Sequence, residues 1–143
     1  MTIHLLKIAA GIGSVSDLNQ RFEAYGEFDP ELGFVVPIVT RNVPRQREAL
    51  MDGGSIYWII KGLIQVRSEI IDLQEGEGSN GRRLCHIYVS PKIQRVVPTK
   101  RRGFQGWRYL QASDALPDIE DGPIGEEGQD VELAGELKEL GLL

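Results

Sequence analysis

An α+β fold built on a mixed, mainly antiparallel sheet is what the sequence predicts, and three observations predict it. Runs rich in β-branched and aromatic residues recur through residues 1–112, bounded by Gly, Pro and Asn turn signals. Two stretches break this pattern with helical spacing. The central strands follow one another in sequence, as antiparallel neighbours do.

The first strand is IHLLKIA, broken by Gly11 and Gly13. Ser14 and Asp17 have the spacing of a capping box, with Asp standing in for the usual Glu or Gln. Val15, Leu18, Phe22 and Tyr25 then share one helical face, and Gly26 is placed to end the helix. After a turn-rich FDPELG comes FVVPIVTR, whose Pro37 cannot donate to a ladder and so predicts an edge or bulged strand. PRQREALM predicts two helical turns with Pro44 in the first, closed by Gly53 and Gly54. SIYWIIKG and LIQVRSEIIDL are strands that meet at Gly62 and form the sheet's centre, with Ile56, Trp58 and Ile60 on one face and Tyr57, Ile59 and Lys61 on the other. QEGEGSNGRR is a polar hairpin tip carrying an Asn80-Gly81 turn signal, and LCHIYVS is the next strand. Pro91 to Arg102, basic and containing Pro91 and Pro98, is expected to be an extended connection to the terminal GFQGWRYL.

The 143 residues suit one domain with one core. No apolar run nears the roughly 20 residues of a membrane span. The N-terminus lacks the basic start and long apolar stretch of a secretory signal. Cys85 is the sole cysteine, which excludes an intrachain disulfide and predicts a reducing, cytoplasmic setting.

Opposite charges are segregated. Residues 1–112 hold 15 Lys/Arg against 11 Asp/Glu, a net of +4, and are expected to form the globular domain. Residues 113–143 hold one Lys against 10 Asp/Glu, a net of −9, and read as an acidic tail with a short amphipathic helix near 130–140 carrying Leu133, Leu137 and Leu140. A cationic body with an acidic appendage suggests a polyanion-binding surface and a segment that competes for it; the bland alternative is a tail that only confers solubility.

Several chemistries are excluded. A metal site would have to use His4, Cys85 and His86, and the adjacent pair points to opposite faces of a strand. GIGSVS has Ser16 where a dinucleotide loop needs its third glycine, and no βαβ unit follows. No Gly-x-Ser-x-Gly nucleophile elbow is present. No cofactor is implied.

What remains is a set of cations interleaved with aromatics: Arg41, Arg45 and Arg47, then Lys61 and Arg67, then Lys100, Arg101, Arg102, Phe104, Trp107, Arg108 and Tyr109. Guanidinium groups pair with phosphates and flat rings stack on unpaired bases, the mixture that single-stranded or flipped-out nucleotides require. Trp58 and Trp107 also suit a core, given the area each buries.

IHLLK, SVSDL, TRNVPRQREALMDGGSIYWIIKGLIQVR, RRLC and FQGWRYL resemble the signature blocks of a bacterial, mainly alphaproteobacterial, family known as domain of unknown function 1489. The likeness covers about the first three quarters of the chain and is looser at Arg67-Ser68 and Ser90-Pro91. It implies no activity. The order IHLLKIA, SVSDL, RNVPRQREALMDGGSIYWIIKG, LIQVRSEI is also similar to the first half of EVE domains of the PUA-like superfamily. That similarity implies a small, partly closed β-barrel with flanking helices that binds RNA or a modified base, with Lys7, Arg41, Asn42, Tyr57 and Lys61 near its pocket.

The expected function is therefore a non-catalytic nucleic-acid-binding module, with RNA favoured over DNA and no membrane partner. Arg45, Arg47, Lys100, Arg101, Arg102 and Arg108 would contact phosphates, and Tyr57, Trp58, Phe104 or Trp107 would supply stacking surface. Two alternatives stay open. One is a small hydrolase of modified nucleosides using Lys61, Thr40 and Glu48 or Glu69. The other is an interaction adaptor docking through the tail leucines.

Overall fold

Alternating strand patterns and two short helical ones resolve into a single curved sheet with helices against it. A computed structural model of the chain describes residues 1–120. In chain order the elements are β1 (Ile3–Ile8), α1 (Val15–Tyr25), β2 (Glu27–Asp29), β3 (Gly33–Thr40), α2 (Arg47–Met51), β4 (Ser55–Ile60), β5 (Leu63–Glu77), β6 (Arg83–Val89), β7 (Gln94–Lys100) and β8 (Trp107–Gln111), followed by a 3-10 turn at Ala112–Asp114. None of the described helices is long and apolar enough to cross a membrane. The helix expected near 130–140, with its leucines, lies outside the described residues.

The sheet order is β2-β3-β6-β5-β4-β1-β8, with β7 pairing beside it on β5. Only the β1–β4 ladder is parallel. β5 organises the whole: its first half pairs with β4 and β7, and its second half with β6. β4 and β5 are joined by Lys61 and Gly62, both at positive φ (50° and 76°), as a two-residue type I′ turn requires.

Period-2 alternation sorts β1 and β4 onto two faces. Ile3 and Leu5 of β1, with Ile56, Trp58 and Ile60 of β4, join Val15, Leu18 and Phe22 of α1 in the larger core. Leu6, Tyr57, Ile59, Ile64 and Val96 form a smaller core on the other face, against which Phe104, Leu110 and Leu116 pack. α1 is capped as its sequence predicts, Ser14 Oγ accepting from Asp17 N at 3.1 Å, but Tyr25 at its end is exposed. Gly54 holds the approach of β4 close, since a Cβ there would overlap the carbonyl oxygens of Ile3 and Leu50.

Three expectations are corrected. The partly closed barrel is instead a sheet that is not closed: among the described residues no ladder joins β8 to β3. The gap is spanned by side chains, Trp107 Nε1 donating to Asn42 O at 3.0 Å and Tyr109 Oη accepting from the backbone N–H groups of Arg45 and Gln46 at 2.8 and 3.1 Å. Those bonds engage the N–H groups of residues 45 and 46, Gln46 is non-helical at φ −92° and ψ 52°, and α2 begins at Arg47 with Pro44 outside it. The basic connection after Pro91 contains a true strand, β7, which tolerates Pro98 because its register with β5 shifts between Ile64 and Val66.

Composition changes near residue 112, yet the chain stays on the sheet beyond it. Val97 N donates to Pro117 O and Ile119 N to Arg95 O, both at 3.0 Å. Asp118 takes a two-point bond from Arg67, Nε to Oδ1 and Nη2 to Oδ2, each 2.8 Å. Residues 115–119 thus strap the smaller core.

Candidate nucleic-acid interface

The site forms where the open ends of the sheet approach one another. Residues 41–45 leave β3, cross the gap and turn towards α2, and a cleft opens on each side of them. One, of about 720 Å³, is lined by Arg41, Asn42, Arg45, Arg47, Glu75 and Arg83 among others. The second, of about 710 Å³, lies in the gap itself and is lined by Lys7, Thr40, Arg41, Asn42, Gln105, Trp107 and Arg108. Together they present six cations and one carboxylate, Glu75.

How free those cations are decides what the surface can do. Arg47 is paired with Asp72 at 2.8 Å and Arg83 with Glu75 at 2.5 Å. Arg41, Arg45, Lys7 and Arg108 have no acidic partner among the described residues. Arg108 donates to the Gln105 and Trp107 carbonyls and lies 4.9 Å from the Phe104 ring centroid. That contact and the smaller core occupy the Phe104 ring.

Lys7 is the unusual member. Strand alternation puts it on the core-facing side of β1 after Ile3 and Leu5, opposite Trp58 of β4 and Trp107 of β8. Burial lowers its amine below the ordinary 10.5, with no carboxylate among the described residues to offset the desolvation. It lines the gap cleft and also a smaller, more apolar cleft against α1.

The residues singled out from sequence therefore divide. Lys7, Arg41, Asn42, Trp107 and Arg108 are gathered in the gap cleft, and Arg45 and Arg47 join Arg41 and Asn42 in its neighbour. Lys61, Lys100, Arg101 and Arg102 make a second exposed strip at the β4–β5 turn, where Arg101 N donates to Gly62 O at 2.9 Å. The chain runs from this strip through residues 103–106 into the gap cleft. Tyr57 and Trp58 are corrected: at 3% and 4% exposure they are core side chains, Trp58 Nε1 donating to Ser68 Oγ at 3.1 Å and Tyr57 lying edge-on to His4. Trp107 is half-buried with its N–H engaged, so it can offer only part of one face.

Sequence reasoning missed Arg83 and Gln105. Arg83 comes to the site because β6 pairs with β3, Thr40 lying opposite Cys85. The RRLC block was the available signal. The Lys61, Thr40 and Glu69 set is not assembled, since Lys61 is at the turn of the β4–β5 hairpin and Glu69 at its open end opposite Ser55. Thr40 Oγ1 donates to Asn42 O at 3.0 Å and shapes the loop. Among the described residues no three of His, Cys, Asp and Glu come together as metal ligands.

A family model described as Protein of unknown function (DUF1489) matches residues 5–143. No curated protein matches the chain, and no solved structure matches it.

Proposed function

This chain belongs to that family, and we propose that it is a non-catalytic module that binds single-stranded nucleic acid, RNA in preference to DNA, along the two clefts flanking residues 41–45. The observation that carries the reading is the set of cations without an acidic partner among the described residues, Lys7, Arg41, Arg45 and Arg108, around a loop whose backbone is fixed by Trp107 and Tyr109. A fixed loop backbone limits where its guanidinium groups can reach, and each can pair with a phosphate at two points. Asn42 and Gln105 supply amides beside them that can donate to and accept from a 2′-hydroxyl. The similarity of the first half of the chain to EVE domains supports the same surface, at Lys7, Arg41 and Asn42. The acidic segment beyond the strap, net −6 over residues 121–143, competes with the polymer for it.

The test is fluorescence anisotropy with labelled single-stranded RNA, single-stranded DNA and duplexes across a salt series. Arg41→Ala and Arg45→Ala should each weaken binding to every sequence and flatten the slope of log K against log salt by roughly 0.7 per lost single-strand phosphate contact. Arg83→Ala should do less, because Glu75 already neutralises it. If the double Arg41→Ala/Arg45→Ala chain keeps the parent slope, this surface is not the interface.

A further inference from the structure

The smaller cleft beside Lys7 differs in character from the two that carry the reading above. It is an open cleft of about 230 Å³ between α1 and β3, with Leu18, Phe22, Val36, Ile38 and Trp58 among its walls. That is below the roughly 300–1,000 Å³ of sites for drug-sized ligands. Its occupant must be small. Polar groups are few: Trp58 Nε1 is already bonded to Ser68, and Arg21 Nη1 donates to Ala10 O at 3.3 Å at the rim. A nucleobase edge would find almost nothing to pair with there. Two cations line it, neither with an acidic partner among the described residues: Arg21 is exposed at the rim, whereas Lys7 is half-buried on the core-facing side of β1.

We propose that this cleft is a binding site for a small apolar carboxylate, its hydrocarbon or aryl body against Phe22, Val36 and Trp58 and its carboxylate on the Lys7 ammonium. The half-buried Lys7 ammonium balances one negative charge inside the cleft, and Arg21 lies outside at the solvated rim, where its charge is screened; the interior therefore suits a monoanion better than a phosphate dianion. The apolar walls supply the affinity through area removed from water, and the ion pair supplies the selectivity. The lowered Lys7 amine agrees with this geometry, as an ammonium that lacks its counter-charge. The site does not rest on nucleic-acid binding.

The experiment titrates the full chain with indole-3-carboxylate and with its neutral counterpart indole-3-methanol, following amide and methyl shifts by NMR. The carboxylate should bind saturably, at least about tenfold more tightly than the alcohol, with the largest shifts at Lys7, Phe22 and Val36. Lys7→Met should reduce that preference to under about threefold while leaving the alcohol's weak binding intact. Since Lys7→Met alters the core-facing side of β1, Ala10→Trp is the second variant: Ala10 is exposed at the cleft rim, so the new ring should block both probes without touching the core. Equal binding of acid and alcohol, a preference that survives Lys7→Met, binding that survives Ala10→Trp, shifts centred on Arg45 or Arg108, or no saturation would each overturn the proposal. So would uridine monophosphate competing more strongly than the indole acid.

Discussion

A histidine at 8% exposure with one ring nitrogen already used as an acceptor has little freedom to take a proton. His4 Nδ1 accepts from Ser55 N at 3.0 Å, Ser55 Oγ accepts from Arg67 Nη1 at 3.0 Å, and Tyr57 closes the cluster edge-on at 5.1 Å. Burial first, and the Arg67 charge second, hold the imidazole below its ordinary 6.5. Asp118, paired to Arg67, is the carboxylate of this cluster. The unfolded chain therefore binds a proton here more readily than the folded one. This contribution to stability is complete above pH 6.5 and is lost as pH falls from 6.5 towards the lower folded value. Urea midpoints should fall between neutral pH and about pH 5.5, and His4→Asn, which keeps an acceptor for Ser55 N, should flatten that fall. His4→Leu leaves the Ser55 N–H buried and unpaired, and should lower stability by about 1–3 kcal/mol at neutral pH, a deficit that narrows as the parent weakens in acid.

Turns decide more of this fold than strand propensity does. Lys61 sits at φ 50°, the only non-glycine described at positive φ, because a two-residue hairpin between Ile60 and Leu63 demands a left-handed residue there. A side chain with a Cβ pays about 1–2 kcal/mol for that conformation, and Asn pays less. Lys61→Asn should raise the urea midpoint by an equivalent of about 1 kcal/mol with the slope unchanged. Loss of nucleic-acid affinity in the same variant would measure the charge alone. The hairpin was legible because Gly62 interrupts two β-branched runs, and α1 was legible from Ser14 and its apolar face. β7 was not, because Pro91 and Pro98 read as interruptions; Pro91 lies before the strand, and the register shift on β5 opposite Pro98 shows how that proline is accommodated. Arg41 and Trp107, singled out by composition, and Asn42, singled out by the EVE resemblance, line the same cleft. Tyr57 and Trp58 were misplaced because local alternation says which residues share a face and not which face is covered, and here residues 112–119 cover one and α1 the other.

Charge segregation and the strap together set where the molecule can be cut. Residues 121–143 hold seven Asp/Glu and one Lys, whereas residues 1–120 are nearly balanced at 15 Lys/Arg and 14 Asp/Glu. Removing residues 121–143 therefore removes the acidic excess and leaves the Arg67–Asp118 pair and the Leu116 packing in place. A chain ending at Glu120 should bind single-stranded RNA more tightly than the full chain, by a factor that shrinks as salt screens the tail. A chain ending at Ala112, the boundary that composition suggests, removes something different. It strips Ala115 and Leu116 from the smaller core, leaves Arg67 without its carboxylate and breaks two backbone bonds to β7. We expect it to lose on the order of 2 kcal/mol of stability. Weak binding by that shorter chain would then report unfolding and not the tail, so the comparison that isolates competition is 1–120 against 1–143. Equal affinities of those two at low salt would assign residues 121–143 to solubility alone, and the surface around Arg41 and Arg45 would act without an internal competitor.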